Sequence, residues 1–204
     1  MLLYAVTDQA WLGGRSLADV VEEAIRAGVT FVQLREKDLD YDAFLTQAEK
    51  IKAITDRYKI PFVIDDNADV ALACGADGVH VGQHDMTASD VRAKIGGNKI
   101  LGVSAQTVEQ AVLAERNGAD YLGVGSVFPT STKLDADFIS FDTLKKICAA
   151  VSIPVVAIGG INRGNVLSLS GSGVDGIAVV SAIFAQKDIT TAVRGLLRLS
   201  AEMT

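Results

Sequence analysis

Four copies of one short phrase, spread along the whole chain, constrain the fold more than any other feature. Each copy has a glycine after a helix-like stretch, then a polar residue and a short apolar run. The copies begin at Gly28, Gly75, Gly118 and Gly173. Glycine directly after a helix is typical of a C-terminal cap, and the apolar run predicts a β-strand. The phrase therefore predicts four helix-to-strand junctions.

Four further apolar runs alternate with the copies of the phrase and bring the predicted strands to eight. They span Leu2–Thr7, Phe62–Asp65, Ile100–Ser104 and Val155–Ile158. Helix-like segments lie between the strands, and several open on a residue that caps helix N-termini well. These predicted capping residues are Ser16, Thr87, Thr107, Ser140 and Asn162, the last opening a predicted helix over Arg163–Ser170.

Eight strand–helix units in 204 residues predict an α/β fold, a single (β/α)8 TIM barrel over residues 1–204. Near-continuous apolar strands are typical of parallel sheets that helices cover. A doubly wound open sheet is the alternative. The recurrence of the phrase at every second strand favours the closed ring.

Composition narrows the class of partner. The net charge of −6 argues against a nucleic-acid partner, which requires clustered Lys and Arg. Cys74 and Cys148 lie far apart in helical patterns and indicate free thiols of a reducing compartment. The start has no basic region, and no apolar run approaches the ~20 residues of a membrane span. We therefore expect a cytoplasmic protein without a membrane partner, with homo-oligomers possible.

Two aspartates follow neighbouring predicted strands. Asp66 comes directly after Phe62–Asp65, and Asp85 follows the run Val79–Val81. Because the carboxyl ends of parallel strands lie on one rim, we expect the two carboxylates to face each other. Hard oxygen ligands with room for water and phosphate suit Mg²⁺. The alternative is that both aspartates cap the helices that follow.

Glycines and cations at other predicted strand ends indicate anion binding. Gly159-Gly160 and Val180-Ser181 follow the seventh and eighth strands, where barrels commonly bind phosphate on backbone N–H groups. A tight turn plus an ordinary cap is the alternative. Arg35, Lys37 and Lys133 bring cations to the same rim. Two anion sites and one metal point to two small-molecule substrates, one a phosphate and one a diphosphate.

With these residues in place, the chain resembles the thiamine-phosphate synthase family over almost its whole length. The motifs that carry the resemblance are more specific together than singly. They are Gly14–Leu17, Gln33–Lys37, Asp65-Asp66, Gly78–Asp85, Leu101–Ser104, Pro129–Lys133 and Ile158–Ile161. The resemblance implies an Mg²⁺-dependent transferase. It would join 4-amino-2-methyl-5-hydroxymethylpyrimidine diphosphate to 4-methyl-5-(2-phosphooxyethyl)thiazole, giving thiamine phosphate and diphosphate.

The resemblance also implies a role for each matching residue. Asp66 and Asp85 would hold Mg²⁺, and Gln33 would hold the aminopyrimidine. The residues for the diphosphate would be Arg35, Lys37, Ser104 and Lys133, of which Lys133, Ser104 and Arg35 are the candidate catalytic residues. The thiazole phosphate would lie on Thr130 and Thr132 and on backbone at Gly160, Val180 and Ser181. The remaining predicted substrate-binding residues in these motifs are Glu36, Asp65 and Ser131.

One position departs from the family pattern, which usually has Asn where this chain has Asp65. An amide can donate a hydrogen bond to a phosphate oxygen, whereas an ionised carboxylate can only accept. The departure bears on the contacts to the diphosphate and leaves the predicted metal pair intact. The implied chemistry is a dissociative substitution, in which diphosphate leaves before the thiazole nitrogen attacks. A thiazole tautomerase-like isomerase and a non-catalytic phosphate-binding regulatory barrel are the alternatives.

Overall fold

A closed barrel of eight parallel strands forms the centre of the computed structural model, which describes residues 1–83, 85–130 and 138–204. The strands follow one another around the barrel in chain order, and β1 pairs with β8 to close it. The predicted (β/α)8 barrel is confirmed, and the open doubly wound sheet is wrong. The strands are β1 Leu3–Val6, β2 Phe31–Leu34, β3 Phe62–Asp65, β4 Gly78–Val81, β5 Ile100–Ala105, β6 Tyr121–Val124, β7 Val155–Ile158 and β8 Gly176–Val179.

Helices connect the strands and cover the outside of the barrel. They are α1 Leu17–Ala27, α2 Tyr41–Tyr58, α3 Ala68–Ala73, α4 Ala88–Ile95, α5 Val108–Arg116, α6 Phe141–Ala150, α7 Ser181–Phe184 and α8 Ile189–Met203, with short 3₁₀ helices at Gln9–Trp11 and Val166–Leu169. Ser16, Thr87, Thr107 and Ser140 each accept a backbone hydrogen bond at the start of a helix, as predicted. Among the described residues, no helix combines the length and apolar character needed to cross a membrane.

The predicted helix over Arg163–Ser170 is wrong. The chain after Asn162 makes turns, and only Val166–Leu169 forms a 3₁₀ helix. Asn162 accepts a hydrogen bond from the Gly164 N–H, but its own N–H donates to the Asn165 side chain. These local bonds compete with an α-helix, and Gly164 and Asn165 are poor helix formers.

The core has two parts. Apolar residues on the outward faces of the strands pack against the helices, and a second cluster fills the barrel interior. Tyr4, Phe31 and Tyr121 lie at the centre of that interior cluster, with ring centroids 4.6 to 6.0 Å apart in edge-to-face contact. The closed barrel therefore has a packed interior, and ligands must bind at its ends.

The recurring glycine phrase builds the end of the barrel where the strands begin. All four of its glycines, Gly28, Gly75, Gly118 and Gly173, have positive φ. The predicted helix-ending role is confirmed for the first three, which follow α1, α3 and α5, and is wrong for Gly173, which follows a turn after a 3₁₀ helix. The polar residue two positions later makes two bonds to one residue of the preceding strand. Its N–H donates to that residue's carbonyl, and its side chain accepts from that residue's N–H. The pairs are Thr30 with Leu3, Asp77 with Phe62, Asp120 with Leu101, and Asp175 with Val155. We call this two-bond contact the strand clasp.

Candidate active site

Three aspartates meet at the opposite end of the barrel, where the strands end. Asp65 is the last residue of β3, Asp66 follows it, and Asp85 lies in the loop after β4. Asn67 and Thr87, and not the aspartates, accept the first backbone hydrogen bonds of α3 and α4. The helix-capping alternative for Asp66 and Asp85 is therefore wrong.

The backbone places Asp66 in an unusual conformation. Its φ of 59° lies in the left-handed region, which is costly for a residue with a Cβ. Its N–H donates to the His80 carbonyl of β4 at 2.8 Å, which ties the end of β3 to the next strand. The fold thus holds a strained aspartate at the rim, a feature that clusters at ligand-binding sites.

Asp85 bends back toward its own strand to reach Asp66. Its carboxylate accepts from the Gly82 N–H at 2.8 Å, and a Cβ added at Gly82 would lie 2.8 Å from that same carboxylate oxygen. Glycine at position 82 therefore permits this conformation. Burial raises the pKa of Asp85, and its hydrogen bond with the Asp66 carboxyl raises it further. A shared proton or a cation is needed to hold two carboxyl groups this close.

Two cations from the loop after β2 face the aspartates. Lys37 Nζ pairs with Asp66 and lies 3.2 Å from Asp65, and Arg35 Nε lies 3.8 Å from Asp65. Burial opposes the charge on Lys37, but its bonds to the two carboxylates outweigh burial and raise its pKa. Burial raises the pKa of Asp65, although Lys37 and Arg35 act in the opposite direction. Predicted cations and carboxylates thus lie together on one rim.

The donor set at this rim fits magnesium. In the described part of the chain no group of three or more His, Cys, Asp or Glu side chains is placed to hold a metal ion. Two adjacent carboxylates are nevertheless the usual protein contribution to Mg²⁺, which keeps its waters and takes phosphate oxygens as further ligands. Asp66 and Asp85 match that pattern, so they fit an ion that is completed by a substrate.

Glu36 has a different position from its neighbours in the Gln33–Lys37 motif. Its carboxylate accepts hydrogen bonds from the side chains of Gln9 and Gln47. These bonds tie the loop after β2 to the first 3₁₀ helix and to α2. Burial is the main cause that raises the pKa of Glu36. The geometry gives Glu36 a role in positioning the loop, and direct substrate binding by it stays a prediction.

A chain of hydrogen bonds joins two predicted ligand-binding side chains through the barrel interior. Gln33 Nε2 donates to the Tyr4 hydroxyl at 2.7 Å, and Tyr4 lies 2.8 Å from the Tyr121 hydroxyl. His80 Nδ1 lies 2.9 Å from Tyr121, and His80 Nε2 lies 3.0 Å from Ser104 Oγ. Sequence reasoning missed Tyr4 and Tyr121, which lie on strands far apart in sequence and not adjacent in the barrel.

Glycines make the space for this chain. A Cβ at Gly102 would lie 2.2 Å from the Tyr121 ring and 2.5 Å from His80 Nδ1. A Cβ at Gly123 would lie 3.1 Å from the His80 ring. Both strand positions point into the barrel, so a side chain there would displace the bonded rings. The glycine inside the Leu101–Ser104 motif was the one sequence signal that could have indicated this need for space.

The turn after β7 and the start of α7 form the other part of the rim. Gly159 and Gly160 have φ of 100° and 66°, which only glycine adopts readily. A Cβ at Gly160 would lie 2.3 Å from the Pro129 carbonyl and 2.8 Å from Phe128. Because Gly160 has no side chain, the loop after β6, which leads to Thr130, can pack closely against this turn. Val180 and Ser181 come directly after β8, and Val180, the N-cap residue of α7, makes no capping hydrogen bond through its side chain.

Some predicted residues lie outside the described part of the chain. They are Ser131, Thr132 and Lys133 in the loop after β6. Thr130 is described and is partly buried at the start of that loop. The structure thus brings together Asp65, Asp66, Asp85, Lys37 and Arg35.

Comparisons with known proteins agree with the motifs. Residues 3–183 match the family model described as thiamine monophosphate synthase. The chain is 54% identical over 190 residues to the thiamine-phosphate synthase of Clostridium tetani, covering 93% of this chain and 91% of that one. It is 53% identical over 197 residues to that of Ruminiclostridium cellulolyticum, covering 97% and 94%.

A solved structure shows the same relationship in three dimensions. Thiamine phosphate pyrophosphorylase from Pyrococcus furiosus superposes with a TM-score of 0.91 at 40% identity, covering 99% of this chain and 96% of that one. The likeness therefore extends through the barrel and its rim and is not confined to one motif. The match to the family model and the high identity over nearly the whole length lead to one conclusion: the chain belongs to the thiamine monophosphate synthase family.

Proposed function

We propose that this enzyme is an Mg²⁺-dependent thiamine-phosphate synthase. It joins 4-amino-2-methyl-5-hydroxymethylpyrimidine diphosphate to 4-methyl-5-(2-phosphooxyethyl)thiazole and releases diphosphate. The observation that carries the proposal is the cluster of Lys37, Asp66 and Asp85 at the rim. Carboxylates that are adjacent to each other and to a lysine suit a metal-bound diphosphate, whose charge must be neutralised before it can leave.

The cations have the second task of holding the leaving group. Lys37 and Arg35 follow β2, and the Arg35 N–H donates to the Thr7 hydroxyl at 3.0 Å, which fixes the start of their loop. Asp66 and Asp85 would hold Mg²⁺, which would supply positive charge to the leaving diphosphate. Lys37 and Arg35 add donors for the remaining phosphate oxygens. Donors that stabilise the negative charge more strongly in the transition state, as diphosphate departs, than in the bound substrate accelerate a dissociative substitution.

Polar groups in the barrel mouth orient the pyrimidine. Gln33 is buried, with only 4% of its surface exposed, and its amide lies next to the interior aromatic cluster. A buried amide that bonds the amino group of the pyrimidine fixes the methylene carbon relative to the diphosphate. Ser104 then donates a hydrogen bond from its hydroxyl to the diphosphate from the neighbouring side of the mouth. Lys133, a candidate catalytic residue outside the described residues, is assigned to the same diphosphate.

The thiazole phosphate occupies the rim at the ends of β7 and β8. Backbone N–H groups at Gly160, Val180 and Ser181, with the hydroxyls of Thr130 and Thr132, are its proposed partners. Gly159 and Gly160 allow a phosphate to approach the backbone closely. The two substrates thus lie on opposite sides of the barrel mouth, and the thiazole nitrogen can reach the methylene carbon between them.

Product formation from the two pure substrates, with and without Mg²⁺, tests the proposal. We expect thiamine phosphate and diphosphate only when Mg²⁺ is present. A tautomerase would convert a thiazole substrate without the pyrimidine diphosphate, and a regulatory barrel would form no product. A diphosphate-induced rise in melting temperature that requires Mg²⁺ would support the metal site independently of turnover.

A further inference from the structure

The hydrogen-bond chain inside the barrel has two ends at the proposed site. Gln33 lies at one end and Ser104 at the other, and Tyr4, Tyr121 and His80 connect them. Tyr4 and Tyr121 each have about 1% of their surface exposed and His80 has 8%, so water cannot replace a missing partner in the middle of the chain. Among the described residues, no buried side-chain nitrogen or oxygen lacks a hydrogen-bond partner.

The number of protons in the chain limits its possible arrangements. Each tyrosine hydroxyl carries one proton, and burial raises the pKa of both, so both remain O–H donors. A neutral imidazole has one N–H and one acceptor nitrogen. With a neutral His80, every link can be satisfied only if all the donors point the same way along the chain. A reversal in the middle would leave a buried O–H or N–H without an acceptor, which is strongly unfavourable inside the barrel.

Two uniform directions remain, and they present opposite groups to a ligand. In the forward direction, Gln33 donates to Tyr4, Tyr4 to Tyr121, Tyr121 to His80 Nδ1, and His80 Nε2 to Ser104. The Gln33 carbonyl is then left as an acceptor, and the Ser104 O–H is left as a donor. In the reverse direction, Gln33 presents its NH₂ group and Ser104 presents only a lone pair.

The structure has the forward direction at the Gln33 end, where Nε2 donates to Tyr4. A diphosphate next to Ser104 also requires the forward direction, because its oxygens accept hydrogen bonds and repel a lone pair. We propose that Tyr4, Tyr121 and His80 are positioning residues that couple diphosphate binding at Ser104 to recognition of a hydrogen-bond donor by the Gln33 carbonyl. The proposal rests on the proposed function and adds a determinant of specificity to it.

The chain therefore selects an aminopyrimidine over its oxo counterpart. An exocyclic amino group donates to the Gln33 carbonyl, whereas an oxo group in that place sets two acceptors against each other. Sites that form a hydrogen bond with a polar group of the substrate reject analogues in which that group cannot form the same hydrogen bond. Turning the Gln33 amide to suit an oxo group would require every proton in the chain to reverse.

Histidine nitrogen NMR tests the direction of the chain without any turnover. The sequence has two histidines, so protein labelled with ¹⁵N-histidine gives two ring systems, and His84→Asn assigns them. We expect a neutral His80 with its proton on Nε2 and with Nδ1 as acceptor. A proton on Nδ1 would overturn the forward direction. This result stands apart from the proposed function, because it needs no substrate.

Substrate discrimination tests the coupling. Tyr121→Phe keeps the ring and removes the central hydroxyl, and Tyr58→Phe is the matched control, since Tyr58 donates to Glu22 on the outside of the barrel. We expect Tyr121→Phe to lower the preference for the amino over the oxo pyrimidine diphosphate by about tenfold, the size of one lost hydrogen bond. The KM for the thiazole phosphate should stay unchanged.

Two outcomes decide the coupling. A preference that falls in Tyr121→Phe and in Tyr4→Phe, and not in Tyr58→Phe, supports it. An unchanged preference in a folded Tyr121→Phe overturns it. If Tyr121→Phe does not fold, Tyr4→Phe, which leaves the Tyr121–His80 bond in place, carries the same test. Absence of synthase activity in the unaltered enzyme would contradict the proposed function, and the NMR result would still decide the direction of the chain.

Discussion

The two ends of the barrel use aspartate in opposite ways. At the end where the strands begin, Asp77, Asp120 and Asp175 each accept one strand N–H at 2.7 to 2.8 Å and complete a strand clasp. At the end where the strands end, Asp65 and Asp66 crowd against Lys37 and Asp85. At the first end, carboxylates accept the hydrogen bonds of strand N–H groups. At the second end, charged side chains lie close to one another.

The two ends also differ in most of the residues that take a positive φ, although Lys59, which ends α2 just before β3 begins, takes one as well. The glycine phrase puts positive φ on glycine at four junctions, where it costs little, whereas the rim puts φ of 59° on Asp66. Burial raises the pKa of Asp65 and of Asp85, so the folded rim opposes the ionised form of these groups. A bound cation would relieve this opposition. We infer that the clasps stabilise the barrel and that the rim is arranged for a ligand.

The largest expected effect comes from removing a rim carboxylate. Asp85→Ala should lower kcat/KM by about 100-fold or more, comparable to the loss of one strong electrostatic stabiliser. The melting temperature should change little, because Asp85 bonds mainly to the loop residue Gly82. Steady-state kinetics at saturating Mg²⁺ and thermal unfolding of the same sample measure both. Near-normal turnover would remove Asp85 from the proposed metal site.

The same substitution at the other end should have the opposite result. Asp175→Ala leaves the Val155 N–H of β7 without its acceptor and should lower stability by about 1–3 kcal/mol. For a chain of this size that corresponds to about 2–4 °C in melting temperature for each kcal/mol. At a temperature where the variant is folded, kcat/KM should match that of the unaltered enzyme. If Asp175→Ala lost activity and kept its stability, the inference that the clasps stabilise the barrel while the rim binds the ligand would be contradicted.

Removing the lysine between the carboxylates should make the rim depend on metal. Lys37→Ala leaves Asp65 and Asp66 without their closest cation, so Mg²⁺ should raise the melting temperature of this variant more than that of the unaltered enzyme. Lys50→Ala, on the exposed face of α2, is the control and should respond to Mg²⁺ as the unaltered enzyme does. Equal responses in all three proteins would show that Mg²⁺ does not bind next to Lys37.

The sequence predicted the ring of strands well because its signals are local. A glycine after a helix, a capping hydroxyl such as Thr107 and a short apolar run each act within a few residues. The expected meeting of Asp66 and Asp85 also followed, because parallel strands bring their ends to one rim. The failed helix after Asn162 shows the limit, since turn bonds within four residues competed with the helix.

Contacts across the barrel could not be predicted in this way. The partner of Asp175 lies 20 residues earlier, on the neighbouring strand, and the Tyr4–Tyr121 bond spans 117 residues. Alternation along a strand indicates that a side chain points inward, but it does not say which inward residue it meets. Gln33 and Ser104 were therefore predicted as separate ligand contacts, although the structure joins them.

The smallest expected effect tests the departure from the family pattern at Asp65. Its side chain faces Lys37 and Arg35 and does not cap α3, which Asn67 caps instead. The pKa of Asp65 is raised by burial above that of the unfolded chain, about 3.9. Between the two pKa values the folded protein holds a proton that the unfolded chain has released, so stability falls as pH rises through this range.

Asp65→Asn cannot ionise and should therefore escape this loss. The variant should be more stable than the unaltered enzyme at pH 7, by a few degrees at most in melting temperature, on the order of 1 kcal/mol. Its advantage should shrink as pH is lowered toward about 4, because the unfolded chain then begins to take up the proton that the folded Asp65 already holds. Removing one negative charge should also tighten diphosphate binding at low Mg²⁺, because a carboxylate repels the phosphate oxygens. Thermal unfolding at both pH values, with calorimetric titration of diphosphate at low and saturating Mg²⁺, separates the two effects. A variant that is less stable at pH 7 would mean that the ion pairs with Lys37 and Arg35 outweigh burial, and the rim would then stabilise the barrel as the clasps do.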